Sequence, residues 1–251
     1  MKKSKPPQST ADHVIAAAAE LRDRVDELDF GKTVQWVYNP LNYAWQSHEQ
    51  YLRRYARKTC RVLLLGMNPG PWGMAQTGVP FGEIHAVVDF LGINAPVGKP
   101  RREHPNRPIE GLSCKRSEVS GQRLWGLFQS RFKNAAAFFE MHFVANYCPL
   151  VFMEESAKNL TPDKLPSALR KPLEDVCDEH LSKLIEALEP EWVIGVGAFA
   201  TDCAVRVLSE RCANSLVKTG RILHPSPASP AANRDWSGTA TKQLVELGIW
   251  K

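Results

Sequence analysis

The stretch LLLGMNPGPWG, residues 63–73, decides how this chain folds. The apolar run RVLLLG (61–66) ends at a glycine, and a loop carrying Asn68, two prolines and two further glycines follows at once. A continuous apolar run of this length is typical of a strand that is covered on both faces. Since proline fixes the backbone angle φ, the loop that contains Pro69 and Pro71 is stiff. The stretch therefore predicts a central strand whose carboxyl end presents Asn68.

The rest of the chain alternates between strand and helix patterns. Strands are predicted at 142–150, where Pro149 ends the strand, at 191–197 and at 220–227. Helices are predicted over 10–29 after a Thr10 or Asp12 cap, over 46–57, 198–210 and 233–247, and along an apolar stripe over 173–188 with Pro172 in the first turn. Strands separated by helices predict an α/β sandwich with a mostly parallel sheet.

The pattern predicts one domain over residues 10–251, preceded by a flexible tail at 1–9. The sequence has no linker long enough to divide domains, and 92–118 is a long surface excursion rich in Gly, Pro and charge. The basic tail is not followed by an apolar core, so it is not a secretory signal. No run approaches the roughly 20 apolar residues that span a bilayer, so we expect no membrane partner.

Cysteine spacing and net charge limit the kinds of site that the sequence predicts. The six cysteines are scattered without a CxxC pair, which predicts buried free thiols and argues against a metal or iron–sulfur site. The net charge is +5, and the segment KPRREHPNRP (99–108) concentrates basic residues in a loop. This segment is either a solvated loop or a surface that contacts phosphates.

Three strand ends are expected to meet in one crevice. In parallel α/β sheets, ligands bind beyond the carboxyl ends of the strands. By that rule Asn68, the 146–149 segment and His224 converge. The crevice would then hold amides, one histidine and backbone groups, with no carboxylate cluster for a metal.

Two other patterns in the sequence indicate weaker alternatives. GVGAFA (195–200) matches the G-x-G-x-x-A dinucleotide fingerprint, but the next strand ends in His224 where an acidic residue is needed. These glycines more simply allow a helix to pack close to its strand. Ser226 lies between two prolines and lacks the elbow that exposes a nucleophilic serine.

An amide and an imidazole suit a hydrolysis in which the bond breaks ahead of attack. Such a reaction needs a positioned water and stabilisation of the departing anion. Asn68 could orient the water and His224 could hold the negative charge, as when uracil leaves deoxyribose. Asn146 could read a pyrimidine edge and Phe81 could stack on the flipped ring.

Five segments in order resemble the single-strand-selective monofunctional uracil-DNA glycosylase family. They are GMNPGPWGMAQTGVPFGE (66–83), SEVSGQRLWGLF (117–128), NYCPLVF (146–152), NLTP (159–162) and LHPSPASPAAN (223–233). The resemblance covers about residues 60–248. It implies a three-layer α/β/α sandwich with a central, mostly parallel four-stranded sheet, and removal of uracil from single- and double-stranded DNA in base-excision repair. It also implies activity on 5-hydroxymethyluracil and related oxidised uracils, with no metal and no cofactor.

The resemblance also assigns roles by position. Asn68 would hold the attacking water and His224 would stabilise the uracil anion, while Asn146 and Phe81 would contact the base. Met67 would help through its backbone, and Gly70 would leave room near the pyrimidine C5. The loop after His224 would contact DNA through Pro225, Ser226, Pro227, Ala228, Ser229 and Pro230. Ala228 departs from the bulky basic residue of vertebrate members, which predicts a weaker wedge into duplex DNA.

Two rival functions remain open from the sequence. One is a related glycosylase with a shifted base preference, for hypoxanthine or xanthine, and the other is a non-catalytic protein that binds damaged DNA. In every case the expected partner is DNA and the expected state is a monomer. The expected location is intracellular, in the cytoplasm or nucleoid of a bacterium or the nucleus of a eukaryote.

Overall fold

The strands form two sheets in the computed structural model, which describes residues 8–31, 34–213 and 215–251. In chain order they are β1 (Trp36–Tyr38), β2 (Val62–Gly66), β3 (His142–Asn146), β4 (Val151–Met153), β5 (Asn159–Leu160), β6 (Trp192–Val196) and β7 (Lys218–Ile222). Four of them make a fully parallel sheet of order β3-β2-β6-β7. The predicted four-stranded parallel sheet is therefore confirmed.

Helices cover this sheet. They are α1 (Thr10–Asp26), α2 (Pro40–Tyr43), α3 (Trp45–Tyr55), α4 (Met74–Thr77), α5 (Val119–Arg131), α6 (Ala135–Phe139), α7 (Ser167–Leu188), α8 (Ala198–Glu210) and α9 (Pro230–Glu246), with a short π-helical turn at 86–90 and 3₁₀ turns at 111–113 and 162–164. Every residue of β2 and β3 is buried, so the centre of the sheet is covered on both faces. This is the α/β/α arrangement that the resemblance implied.

The predicted strand over 142–150 is too long. β3 ends at Asn146, after which the backbone N–H groups of Tyr147 and Cys148 donate to the carbonyls of Gly66 and Met67, both at 2.9 Å. The chain then leaves the sheet, and β4 joins β1 and β5 in a small antiparallel sheet that the sequence did not predict. The sequence predicts, in the segment 220–227, a short strand that ends at His224 and breaks into a proline-rich loop; the strand, β7, ends two residues earlier, at Ile222.

Three helix starts also differ from the sequence prediction. Ser9, assigned to the tail, is the N-cap of α1 and forms a capping box with Asp12, so neither Thr10 nor Asp12 is the cap; residues 1–7 of the predicted tail lie outside the described residues. Pro172 lies inside α7 because that helix already begins at Ser167. Pro230 is the first residue of α9 and not part of a loop, because the Ser229 side chain caps the helix there.

The cysteines and the long excursion agree with the sequence prediction. All six cysteines are free thiols, and five of them are buried, which leaves Cys212 half-buried. The 92–118 segment runs without helix or strand apart from its 3₁₀ turn, and it is anchored by buried Ile93, His104 and Ile109. In the described part of the chain, no helix is both long and apolar enough to cross a membrane.

Candidate active site

The predicted convergence of strand ends is present at the carboxyl edge of the parallel sheet. Gly66 at the end of β2 lies directly opposite Asn146 at the end of β3. His224 follows the end of β7 on the same edge, and its ring centroid lies 6.2 Å from that of Phe81. The structure thus brings Asn146, Phe81 and His224 together around the loop that carries Asn68.

The Asn68 side chain is oriented by the neighbouring backbone. Its Nδ2 donates to the carbonyl of Leu150 at 3.1 Å and to that of Pro69 at 3.4 Å. Leu150 is buried just before β4, so the small antiparallel sheet fixes this acceptor. With both amide hydrogens directed at carbonyls, Oδ1 is the atom left to accept a hydrogen bond, which is the orientation needed to hold a water by one of its protons.

Asn146 and Phe81 pack against Gly66, where only a glycine fits. A Cβ added to Gly66 would lie 2.4 Å from Oδ1 of Asn146 and 2.5 Å from the Phe81 ring. Asn146 is buried, and among the described residues its Nδ2 donates only to the sulfur of Met74, at 3.3 Å. A thioether is a weak acceptor, so this amide can exchange it for a stronger one such as a base carbonyl. Phe81 has a φ of 52°, a strained backbone conformation of a kind that clusters at ligand sites.

His224 lies above Gly197, the N-cap residue of α8. A Cβ on Gly197, whose φ is +95°, would approach Cβ of His224 to 3.1 Å. Burial lowers the pKa of His224 below its usual 6.5. The imidazole is therefore neutral at pH 7 and can donate one N–H while keeping one acceptor nitrogen.

The glycines of the dinucleotide-like segment have structural roles. A Cβ on Gly195 would lie 2.2 Å from Oγ1 and 2.4 Å from the backbone nitrogen of Thr201, so this glycine lets α8 pack against β6. Close packing of helix on strand, which the sequence favoured over a dinucleotide site, is confirmed for Gly195. Gly197 instead makes room for His224.

The loop after His224 is held by α5 and α9. Arg123 donates to the carbonyls of Pro225 at 3.2 Å and Ser226 at 3.4 Å, and its other nitrogen donates to Asn233 Oδ1 at 2.9 Å. Asn233 in turn donates to Pro227 O at 2.8 Å. Pro227 and Ala228 are exposed at its tip. Sequence reasoning missed Arg123, although it lies within the quoted segment SEVSGQRLWGLF.

A second missed residue, Glu118, lies against the Asn68 loop. A Cβ on Gly70 would lie 2.6 Å from Glu118 Oε1, and one on Gly73 would overlap Oε2. The side of Gly70 from which a side chain would extend thus faces this carboxyl group. Oε2 is buried without a hydrogen-bond partner among the described residues. Burial, with a smaller contribution from Glu83, raises the pKa of Glu118 to about 7.

We expect Glu118→Gln to stabilise the protein at high pH only. The raised pKa means that the unfolded chain ionises near 4.5 while the folded protein keeps its proton up to about 7, so stability falls as pH rises between these values. Urea unfolding should show a gain of about 3 kcal/mol for the variant at pH 8 and almost none at pH 4. Exposed Glu110→Gln is the control, and an equal gain at both pH values would contradict the interpretation.

A metal site does not emerge from the geometry. Across residues 8–31, 34–213 and 215–251, no three His, Cys, Asp or Glu side chains are grouped as metal ligands would be.

The chain matches a family model, named relatives and a solved structure. The model of the uracil DNA glycosylase superfamily matches residues 53–247. A Bos taurus protein named single-strand selective monofunctional uracil DNA glycosylase is 44% identical over 243 residues, which cover 97% of this chain and 89% of the relative. A Mus musculus protein of the same name is 43% identical, over 96% of this chain and 86% of its own length. The crystal structure of wild-type Pedobacter heparinus SMUG2 matches with a TM-score of 0.67 and 18% identity, over 96% of this chain and 98% of that one, which supports the fold.

Proposed function

This chain belongs to the uracil DNA glycosylase superfamily, and we propose that it hydrolyses the N-glycosidic bond of uracil in DNA to begin base-excision repair. The observation that carries the proposal is the meeting of Asn68, Asn146, Phe81 and His224 at one edge of the sheet. The reaction is monofunctional: it leaves an abasic site and does not cut the strand.

The proposed mechanism works by placement and charge stabilisation. The target nucleotide leaves the base stack, and its uracil enters the crevice against the Phe81 ring. Asn146 pairs with the base edge, since an amide both donates and accepts. As the glycosidic bond breaks, the electron pair goes to uracil N1, and the N–H of neutral His224 stabilises the resulting anion. A water held by Oδ1 of Asn68 then adds to the sugar carbon and loses its proton to solvent.

The proposed substrates extend beyond uracil. We propose that 5-hydroxymethyluracil and related oxidised uracils are accepted, with Gly70 and the backbone of Met67 lining the pocket. The Glu118 carboxyl group lies against Gly70, so it is the nearest side-chain group on that side of the loop. We further propose that the protein acts as a monomer inside the cell, in the cytoplasm of a bacterium or the nucleus of a eukaryote.

The activity is tested with oligonucleotides that each hold one lesion. The protein should release uracil and 5-hydroxymethyluracil, and the strand should break only after alkali treatment. Release of hypoxanthine or xanthine alone would indicate a shifted base preference. Tight binding of damaged DNA without any base release would indicate a non-catalytic protein, and strand breakage before alkali would contradict the monofunctional reaction.

We expect faster turnover in single strands than in duplex DNA. Flipping a base out of a duplex costs a few kcal/mol, and the exposed loop tip offers only Pro227 and Ala228 as a wedge. At matched salt, kcat/KM for uracil in a single strand should exceed that for uracil opposite adenine about tenfold. Ala228→Arg should raise duplex activity several-fold. Equal turnover of both substrates by the wild-type protein would contradict the expectation.

A further inference from the structure

Two arginines are stacked on Trp72, four residues after Asn68. The guanidinium carbon of Arg116 lies 4.5 Å from the Trp72 ring centroid, and that of Arg107 lies 5.1 Å away. All three residues line a surface cleft of ≈ 500 Å³ beside the candidate active site, and Glu110 is the single acidic residue in its lining. The Trp72 ring lies close to both guanidinium groups. The cation–π attraction between the ring and each of them opposes the repulsion between the two positive charges.

These two guanidinium groups have no carboxylate partner in the part of the chain that the structure describes. Arg107 donates only to the neighbouring carbonyl of Asn106, and its Nε is buried without a partner. Six other arginines form ion pairs with Asp or Glu side chains: Arg22, Arg24, Arg53, Arg61, Arg170 and Arg206. The N–H donors at the Trp72 cleft are thus available to an anion, and a planar guanidinium matches a phosphate well.

The position of the cleft restricts what that anion is. Trp72 belongs to the same loop as Asn68, and four residues of extended chain span at most about 14 Å. When a nucleotide is bound at Asn68, the phosphates of the adjacent nucleotides therefore lie within reach of the cleft. The loop 225–230 contains no cationic side chain of its own.

We propose that Arg107 and Arg116, aligned by Trp72, bind a phosphodiester of the DNA strand next to the extruded nucleotide. The proposal rests on the proposed function, since it takes the strand to run through the same site. It also gives part of the 92–118 excursion a role in binding the DNA strand. The sequence alone left open whether the basic segment at 99–108 contacts phosphates.

Binding of a single-stranded oligonucleotide tests the proposal. The oligonucleotide carries one 2′-fluoro-2′-deoxyuridine, whose glycosidic bond resists hydrolysis, and its Kd is measured by fluorescence anisotropy over a salt series. Arg107→Ala with Arg116→Ala should weaken binding at least tenfold at low salt and reduce the slope of log K against log salt by about 1.4. Trp72→Ala should have a smaller effect in the same direction, and Trp72→Phe should retain most of the affinity.

The matched control removes the same charge elsewhere. Arg131 stacks on Trp250 at 4.3 Å and Lys218 on Trp192 at 5.3 Å; Lys218 and Trp192 begin their strands, at the edge of the sheet opposite the site. Arg131→Ala with Lys218→Ala should change Kd less than twofold and leave the slope of log K against log salt unchanged. Equal effects of the two double variants would overturn the proposal, because net charge alone would then explain binding.

Neutral methylphosphonates locate the contact. Placed one at a time along the strand, they should weaken wild-type binding most at one or two positions beside the 2′-fluorouridine. The Arg107→Ala, Arg116→Ala variant should be insensitive at those positions, and undiminished sensitivity there would contradict the contact. These readouts do not depend on uracil release, so failure of the proposed function would appear separately, as absence of base release by the wild-type protein.

Discussion

Asn68→Ala is expected to lower the rate of uracil release about 10²–10³-fold while DNA affinity changes little. Two backbone carbonyls accept from the amide nitrogen of Asn68, and in the proposed mechanism Oδ1 positions the attacking water. Alanine removes that acceptor, so the water loses its fixed place although the base still binds between Asn146 and Phe81. The loss should therefore appear in the single-turnover rate at saturating enzyme.

Two measurements separate this role from a structural one. Anisotropy with the non-hydrolysable strand gives Kd, and circular dichroism with thermal unfolding shows whether the loop variant folds normally. If Kd collapses while bound substrate turns over at the wild-type rate, Asn68 holds the DNA and does not position the water.

His224→Ala is expected to reduce the rate by a similar 10²–10³-fold for uracil and by much less for bases that leave easily. In the proposed mechanism the imidazole stabilises charge on the departing base, so its contribution to the rate grows as the leaving group becomes a poorer anion. A series of 5-substituted uracils of differing N1 acidity measures this, with 5-fluorouracil at the easy end. A uniform loss across the series would contradict the assignment.

The pH profile adds an independent check on His224. Burial lowers its pKa below 6.5, so the neutral form persists from that value upward. Glu118 beside the Asn68 loop has a pKa of about 7, so the profile is measured in the Glu118→Gln background. If the neutral N–H is the active donor, kcat should stay level from pH 6.5 to 8.5 in that background. A decline there would indicate that the charged imidazole is needed. His224→Gln, which keeps a neutral N–H donor, should retain more activity than His224→Ala.

The periodicity of apolar residues predicted the central architecture well. The run 61–66 became β2, the segment 198–210 became α8, and the parallel order placed Asn68, Asn146 and His224 on one edge. These features follow from local properties: apolar runs must be buried, and the carboxyl ends of parallel strands share an edge. The resemblance of the motifs to a known family then suggested chemical roles for Asn68, Asn146 and His224. The strand pattern had already placed these residues at the same edge of the sheet.

The local sequence pattern did not predict where some helices and strands begin and end, or which contacts support the site. β3 stops at Asn146, and the next two N–H groups bond to Gly66 at the end of β2 and to Met67 at the start of the Asn68 loop. The sequence around Pro149 gives no sign of these bonds. Pro230 looked like loop but begins α9, since the Ser229 side chain caps the helix by accepting from the Ala232 N–H.

The sequence by itself determined the sheet, its order of elements and the strand ends at which polar groups appear. Only the tertiary structure decided that Glu118 lies against Gly70 and Gly73, that Arg123 holds the loop after His224, and that Trp72 gathers Arg107 and Arg116. The physical reason is the distance along the chain over which each kind of interaction acts. Burial and backbone propensity act between near neighbours along the chain, whereas these contacts join residues dozens to a hundred positions apart, and they exist only once the sheet has brought the segments together.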